Sequence, residues 1–111
     1  MFQKHNESGY NPATPGIELK TLVHGEKTSM TKFLLKKGST LPQHSHTHEQ
    51  TGYLIKGQMR LSIGLEKYDT RQGDSWCIPG GIVHRAEIIE DAIAIEVFSP
   101  VRENYLSKAS D

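Results

Sequence analysis

One cysteine, Cys77, stands in 111 residues, so no disulfide can form within the chain. A reducing compartment suits such a protein. No stretch approaches the ~18 apolar residues that a membrane span needs. The start, Met1 to Glu7, lacks the apolar run of a secretory signal. These absences predict a cytoplasmic protein with no membrane partner. Neither sign of charge is in excess, 13 Lys and Arg standing against 13 Asp and Glu. A neutral chain offers no electrostatic footprint for nucleic acid. Any apolar repeat of period 3.6 sustained over three turns is missing too, which points away from long helices.

What the chain does have is short alternating runs divided by turn residues. Met1 to Pro15 is polar and broken by Gly9, Pro12 and Pro15, and reads as an N-terminal arm or edge strand. Residues 16–111 read as one domain of modest core. Strands are predicted over 17–23, 28–35, 51–55, 58–65, 67–71, 75–78, 84–89 and 92–98. Glu90-Asp91 is read as a turn, and the tail from Arg102 to Asp111 as one helical turn that then frays. Many short strands at this spacing predict an all-β sandwich or barrel. Trp76, Tyr53 and Tyr68 are read as packing residues and Cys77 as a small buried hydrophobe.

The run His44-Ser45-His46-Thr47-His48-Glu49-Gln50 carries the chemistry. Imidazole is the commonest protein ligand for a transition metal at neutral pH. In an extended strand, a His-x-His pair projects both rings from one face. His84 on another strand can close the site. Strand phase leaves His48 open as a further ligand, because 44, 46, 48 and 50 share it, and turns Glu49 outward. On the last strand Ala92, Ala94, Glu96 and Phe98 share one face, as a pocket wall would. Ile93, Ile95 and Val97 share the other, which must pack against something.

Two spaced motifs now resemble those of the cupin superfamily. The first is Gly38, five residues, His44-x-His46, three residues, Gln50, six residues, Gly57. Glu is usual at the Gln50 position. The second is Gly73, five residues, Pro79-x-Gly81, two residues, His84, with the usual closing Asn replaced by Ile88. Gly57 and Gly73 are read as hairpin turns that want positive φ. The resemblance implies a conserved β-barrel, a jelly roll of two antiparallel sheets, with a metal inside its mouth. It implies His44, His46, His84 and Gln50 as metal ligands, with His48 nearby. The C-terminal run from Glu96 to Leu106 is similar to that of the small pectin-degradation cupins. Those open the ring of 4,5-unsaturated uronates from pectin and alginate. That likeness implies Glu96, Phe98 and Arg102 as catalytic residues. Glu96 departs from that family's Asp, which sets its carboxylate about an ångström deeper.

Three neutral imidazoles and a neutral amide leave a divalent ion's charge uncompensated, and Arg102 adds to it. A cavity of that sign favours a small anionic, carboxylate-bearing partner. The nitrogen-rich ligand set points to one divalent transition metal, Zn, Ni, Fe, Mn, Co or Cu, rather than Ca or Mg. The metal and Arg102 are expected to lower the pKa of Glu96. Alternatives are a cupin dioxygenase using the three-His centre, a non-catalytic cupin that binds sugar acids, and a metal-holding structural protein. A homodimer is expected by family analogy.

Overall fold

The computed structural model describes residues 1–106. Eight antiparallel strands form one continuous hydrogen-bonded ladder that folds over on itself. They are β1 (Asn11–Thr14), β2 (Ile17–His24), β3 (Ser29–Leu35), β4 (Thr40–His44), β5 (Glu49–Ile63), β6 (Glu66–Arg71), β7 (Ser75–Ile78) and β8 (His84–Ser99). A 3₁₀ turn, Glu103–Tyr105, follows β8. The expected fraying beyond it lies outside the described residues.

Two long strands make the barrel. The first half of β5 lies between β7 and the second half of β8, which pairs onward with β3, β2 and β1. The second half of β5 lies between β6 and the first half of β8, which pairs with β4. The two faces of the jelly roll therefore share β5 and β8. Here the expected boundaries change. Sequence 51–55 and 58–65 form one strand with register shifts at its centre, and 84–98 form another. Glu90 and Asp91 do not form a turn. They are exposed at a bend within β8. Gly57 has φ +95° as expected, yet sits inside β5 rather than in a hairpin. A Cβ on it would lie 2.3 Å from the Asp91 carbonyl oxygen. The glycine lets the two strands bend together there, and the irregularity shifts the buried phase of β5 from even residues to odd ones. Leu65 is fully exposed in the two-residue turn between β5 and β6, not in a strand.

Inward positions of both faces form the core. Ile17, Leu54, Ile78 and Phe98 are at most 1% exposed, with Phe33, Met59, Leu61 and Ile88 around them. Each such side chain contributes roughly 1.5–3 kcal/mol by leaving water. β7 alternates Trp76 and Ile78 inward with Ser75 and Cys77 outward, so Cys77 is exposed, against expectation. Tyr53 and Tyr68 are likewise about half exposed on the outer surface. Strand pairing, not apolarity, decides where these three side chains go.

Candidate metal centre and pocket

The His-rich run does not lie on one strand. His44 ends β4, His46 and His48 lie in the connector, and Gln50 is the second residue of β5. The connector is held by a distant turn: Gly81 N–H donates to the His46 carbonyl at 2.8 Å. Gly80 packs so closely that a Cβ there would lie 2.4 Å from the Thr47 carbonyl oxygen. His84 opens β8 directly opposite His44.

These placements bring His44, His46 and His84 together, with their ligating nitrogens within 4.8 Å of one another. The hydrogen bonds fix each ring. His44 Nδ1 lies 2.8 Å from the Pro42 carbonyl, His46 Nδ1 3.0 Å from that of His48, and His84 Nδ1 2.9 Å from that of Ile82. A carbonyl only accepts, so each Nδ1 carries a proton, and in the neutral ring Nε2 keeps the lone pair. His84 Nε2 is buried and has no hydrogen-bond partner among the described residues. Burial, then the Arg102 guanidinium, then His84 push the pKa of His46 down to about 4. Burial also lowers that of His84. Both rings are neutral at pH 7.

Gln50 lies beside the three imidazoles. Its Nε2 donates to Glu96 Oε2 at 2.8 Å, which leaves Oε1 turned to His46 Nε2 at 3.0 Å. Two lone pairs thus face each other. That suits a shared cation, because two ligands at right angles on bonds of roughly 2.1 Å lie about 3 Å apart. The orphaned His84 nitrogen and the facing lone pairs fit a divalent transition metal. His48 stands beside the cluster, its ring 5.4 Å from that of His46, and is not one of the three.

One cavity is lined by His44, Gln50, His84, Glu96, Phe98 and Arg102, together with Tyr105 and core residues. Glu96 is buried, and its Oε1 accepts from Trp76 Nε1 at 3.0 Å. Its pKa in the metal-free protein is raised to about 7, without the lowering expected from Arg102. Burial disfavours the charged form more than the Gln50 and Trp76 hydrogen bonds favour it. Arg102 does not offset this, because its guanidinium lies over the rings of Tyr105 (4.2 Å) and Phe98 (5.0 Å). Its Nε donates to Asn104 Oδ1 and its backbone N–H to Ser29 Oγ. Arg102 is 9% exposed, and among the described residues no carboxylate pairs with it.

Sequence reasoning missed three residues here. Tyr105 and its neighbour Asn104 lie in the C-terminal run without a role assigned from sequence. Trp76 was read as packing, and nothing in its local sequence shows that it reaches Glu96.

A small antiparallel barrel with three imidazoles converging at its mouth defines a class of metal-site β-barrels. The chain belongs to the cupin family: the Cupin domain matches residues 31–99, more than half of it. Among solved structures it is similar to KdgF from Halomonas sp., with a TM-score of 0.89 and 28% identity, covering 96% of this chain and 100% of that one. An RmlC-like cupin from Shewanella frigidimarina shares the fold, with a TM-score of 0.89 at 24% identity over 95% of each chain. Oxalate decarboxylase OxdC of Bacillus subtilis is 28% identical over 80 residues, 68% of this chain and 21% of that protein. The alignments span less than two thirds of the length of the curated relatives the chain matches.

Proposed function

We propose that this cupin is a metal-dependent enzyme that opens the ring of 4,5-unsaturated uronates from pectin or alginate breakdown. The observation that carries the reading is Arg102, a buried cation that no carboxylate among the described residues pairs with, in one cavity with the buried acid Glu96 and with His44 and His84 of the three-imidazole cluster. A carboxylate-bearing substrate supplies the missing anion. The C-terminal likeness to the uronate-opening cupins and the full-length likeness to KdgF support the choice of substrate.

His44, His46, His84 and Gln50 would hold the metal, which when bound supplies Lewis acidity toward a substrate oxygen. Arg102 grips the carboxylate through its planar fork, and Phe98 and Tyr105 hold the guanidinium in place. Glu96 accepts the proton of the hemiacetal hydroxyl as the ring C–O bond breaks and its electron pair passes to the enolate. The same proton then goes to carbon as the enolate becomes a ketone. No oxidant and no water is consumed. Each Glu96 oxygen accepts one hydrogen bond and keeps a second lone pair for this transfer.

Arg102→Lys keeps the charge but loses the fork. The value of kcat/KM is expected to fall about 10- to 100-fold, mainly through KM, in an ultraviolet assay of the substrate's double bond. An unchanged KM would remove Arg102 from substrate binding. Oxygen uptake with a diol or diketone, and no ring opening, would favour the dioxygenase alternative.

The proposal includes a cytoplasmic homodimer. No helix among the described residues is long and apolar enough to cross a membrane, and an exposed Cys77 suits a reducing compartment. Ile93, Ile95 and Val97 face outward on β8, flanked by Met30, Tyr53 and Ile55, which are 38–50% exposed. A second copy covering this sheet face would remove that apolar surface from water. Sedimentation at micromolar concentration is expected to give twice the chain mass. A monomer would refute the dimer.

A further inference from the structure

Trp76, Gly52 and Glu96 lie in one row across three adjacent strands. Gly52 on β5 pairs with Trp76 of β7 on one side and with Glu96 of β8 on the other. Two strand spacings put the backbones of Trp76 and Glu96 roughly 10 Å apart. Only a long side chain passing over the middle residue can join them. The middle residue has no side chain. A Cβ at Gly52 would lie 2.2 Å from Trp76 Cε2 and 2.3 Å from its Nε1, so the indole lies directly on the glycine backbone. From that seat Nε1 reaches Glu96 Oε1 at 3.0 Å, while Oε2 takes the Gln50 amide at 2.8 Å.

We propose that Trp76 is a positioning residue for the metal centre. By holding Glu96 across Gly52, it makes Glu96 hold the Gln50 amide with its oxygen toward His46. The proposal deepens the metal reading above and rests on it. The polarity of the chain of bonds runs one way. An indole N–H only donates, and a carboxylate only accepts. Toward an ionised Glu96 the Gln50 group is therefore its NH₂, as the 2.8 Å bond has it, and the group left for a metal is its oxygen. A flipped amide would set oxygen against carboxylate and NH₂ against the cation, unfavourable at both ends. The same bonds explain why an amide at position 50 suits a buried carboxylate at 96. Two carboxylates at this separation would repel. Partners of this kind typically tune metal affinity 10- to 100-fold.

Trp76→Phe separates orientation from packing, since a phenyl ring covers Gly52 without an N–H. Metal-free Trp76→Phe is expected to unfold within a few degrees of the wild type. Its affinity for Co²⁺, measured by chelator competition, is expected to fall about tenfold. Its Co²⁺ visible absorption should shift toward that of Gln50→Ala. In the double variant the two losses should not add, because the indole acts only through Gln50. Wild-type affinity and spectrum in Trp76→Phe, or additive losses, would overturn the proposal. Trp76 is the single tryptophan of the chain. Its emission in unmodified protein should therefore change during a Zn²⁺ titration and saturate at one equivalent. Calorimetric Zn²⁺ binding with constant emission would also overturn it. If the wild type binds neither ion while His84→Ala behaves identically, the metal reading has failed, and this proposal with it.

Discussion

His84→Ala is expected to lose its metal: affinity for Zn²⁺ or Co²⁺ falls more than about 100-fold, and ring-opening activity drops to the buffer rate. Three features of the site demand this size of effect. His84 opens β8 opposite His44, so its imidazole is delivered by strand pairing rather than by a mobile loop. Its Nδ1 is committed to the Ile82 carbonyl, which leaves the Nε2 lone pair to the cluster. That nitrogen is buried, and no group among the described residues competes for it. Stability provides an independent readout. A metal bound only by the folded state stabilises it by about 2.7 kcal/mol at a concentration a hundred times Kd. In a domain of this size that raises the melting temperature by roughly 10 °C or more. The wild type should show this rise with added Zn²⁺, and His84→Ala should not. Equal rises in both proteins would mean that the three histidines are only hydrogen-bonded neighbours.

The second large effect belongs to Glu96. At saturating metal, Glu96→Gln is expected to reduce kcat about 10²- to 10⁴-fold, the usual contribution of a positioned proton-transfer group. Full activity would assign the proton to another group. The same variant carries a pH signature in the metal-free protein. Burial raises the pKa of Glu96 from 4.5 to about 7, so across that interval the native state binds more protons than the unfolded state. The resulting stability is fully present below about pH 4.5 and is lost as pH rises through 7. Its full extent is about 3 kcal/mol. His46 works in the opposite sense, its pKa lowered from 6.5 to about 4. Its stability is present above 6.5 and lost as pH falls toward 4. The two slopes oppose each other between about 4.5 and 6.5. Above that only the Glu96 slope remains. Urea midpoints should therefore show Glu96→Gln gaining on the wild type between pH 5 and pH 8. A pH-independent difference would contradict the burial of Glu96.

How the site is built was only partly legible in the sequence. Motif spacing selected His44, His46, Gln50 and His84, and the structure brings the three imidazoles together with the Gln50 oxygen against His46. It does so by a different route. Strand alternation put 44, 46, 48 and 50 in one phase, but the chain ends β4 at His44, crosses a connector and starts β5 at Glu49. The connector is shaped by Gly80 and Gly81, some 35 residues away, and no local pattern reports such an approach. Turn chemistry misled in the same way at Gly57 and Glu90-Asp91. Those residues have turn propensities, yet they mark where two paired strands bend together. Trp76 was illegible for a related reason. Its reach to Glu96 depends on the register of three strands and on a glycine between them, which are properties of the sheet. The share of Arg102 in the expected lowering of the Glu96 pKa failed on side-chain direction. Arg102 turns its guanidinium onto aromatic rings, so burial dominates the carboxyl.

The most direct measurement of the central claim mixes metal-supplemented protein with 4,5-unsaturated galacturonate. It follows the ultraviolet absorbance of the conjugated double bond, with His84→Ala as control. Decay faster than in buffer, abolished in the variant, is the predicted result. Decay no faster than in buffer from a wild-type protein shown to hold one equivalent of metal would contradict the uronate assignment.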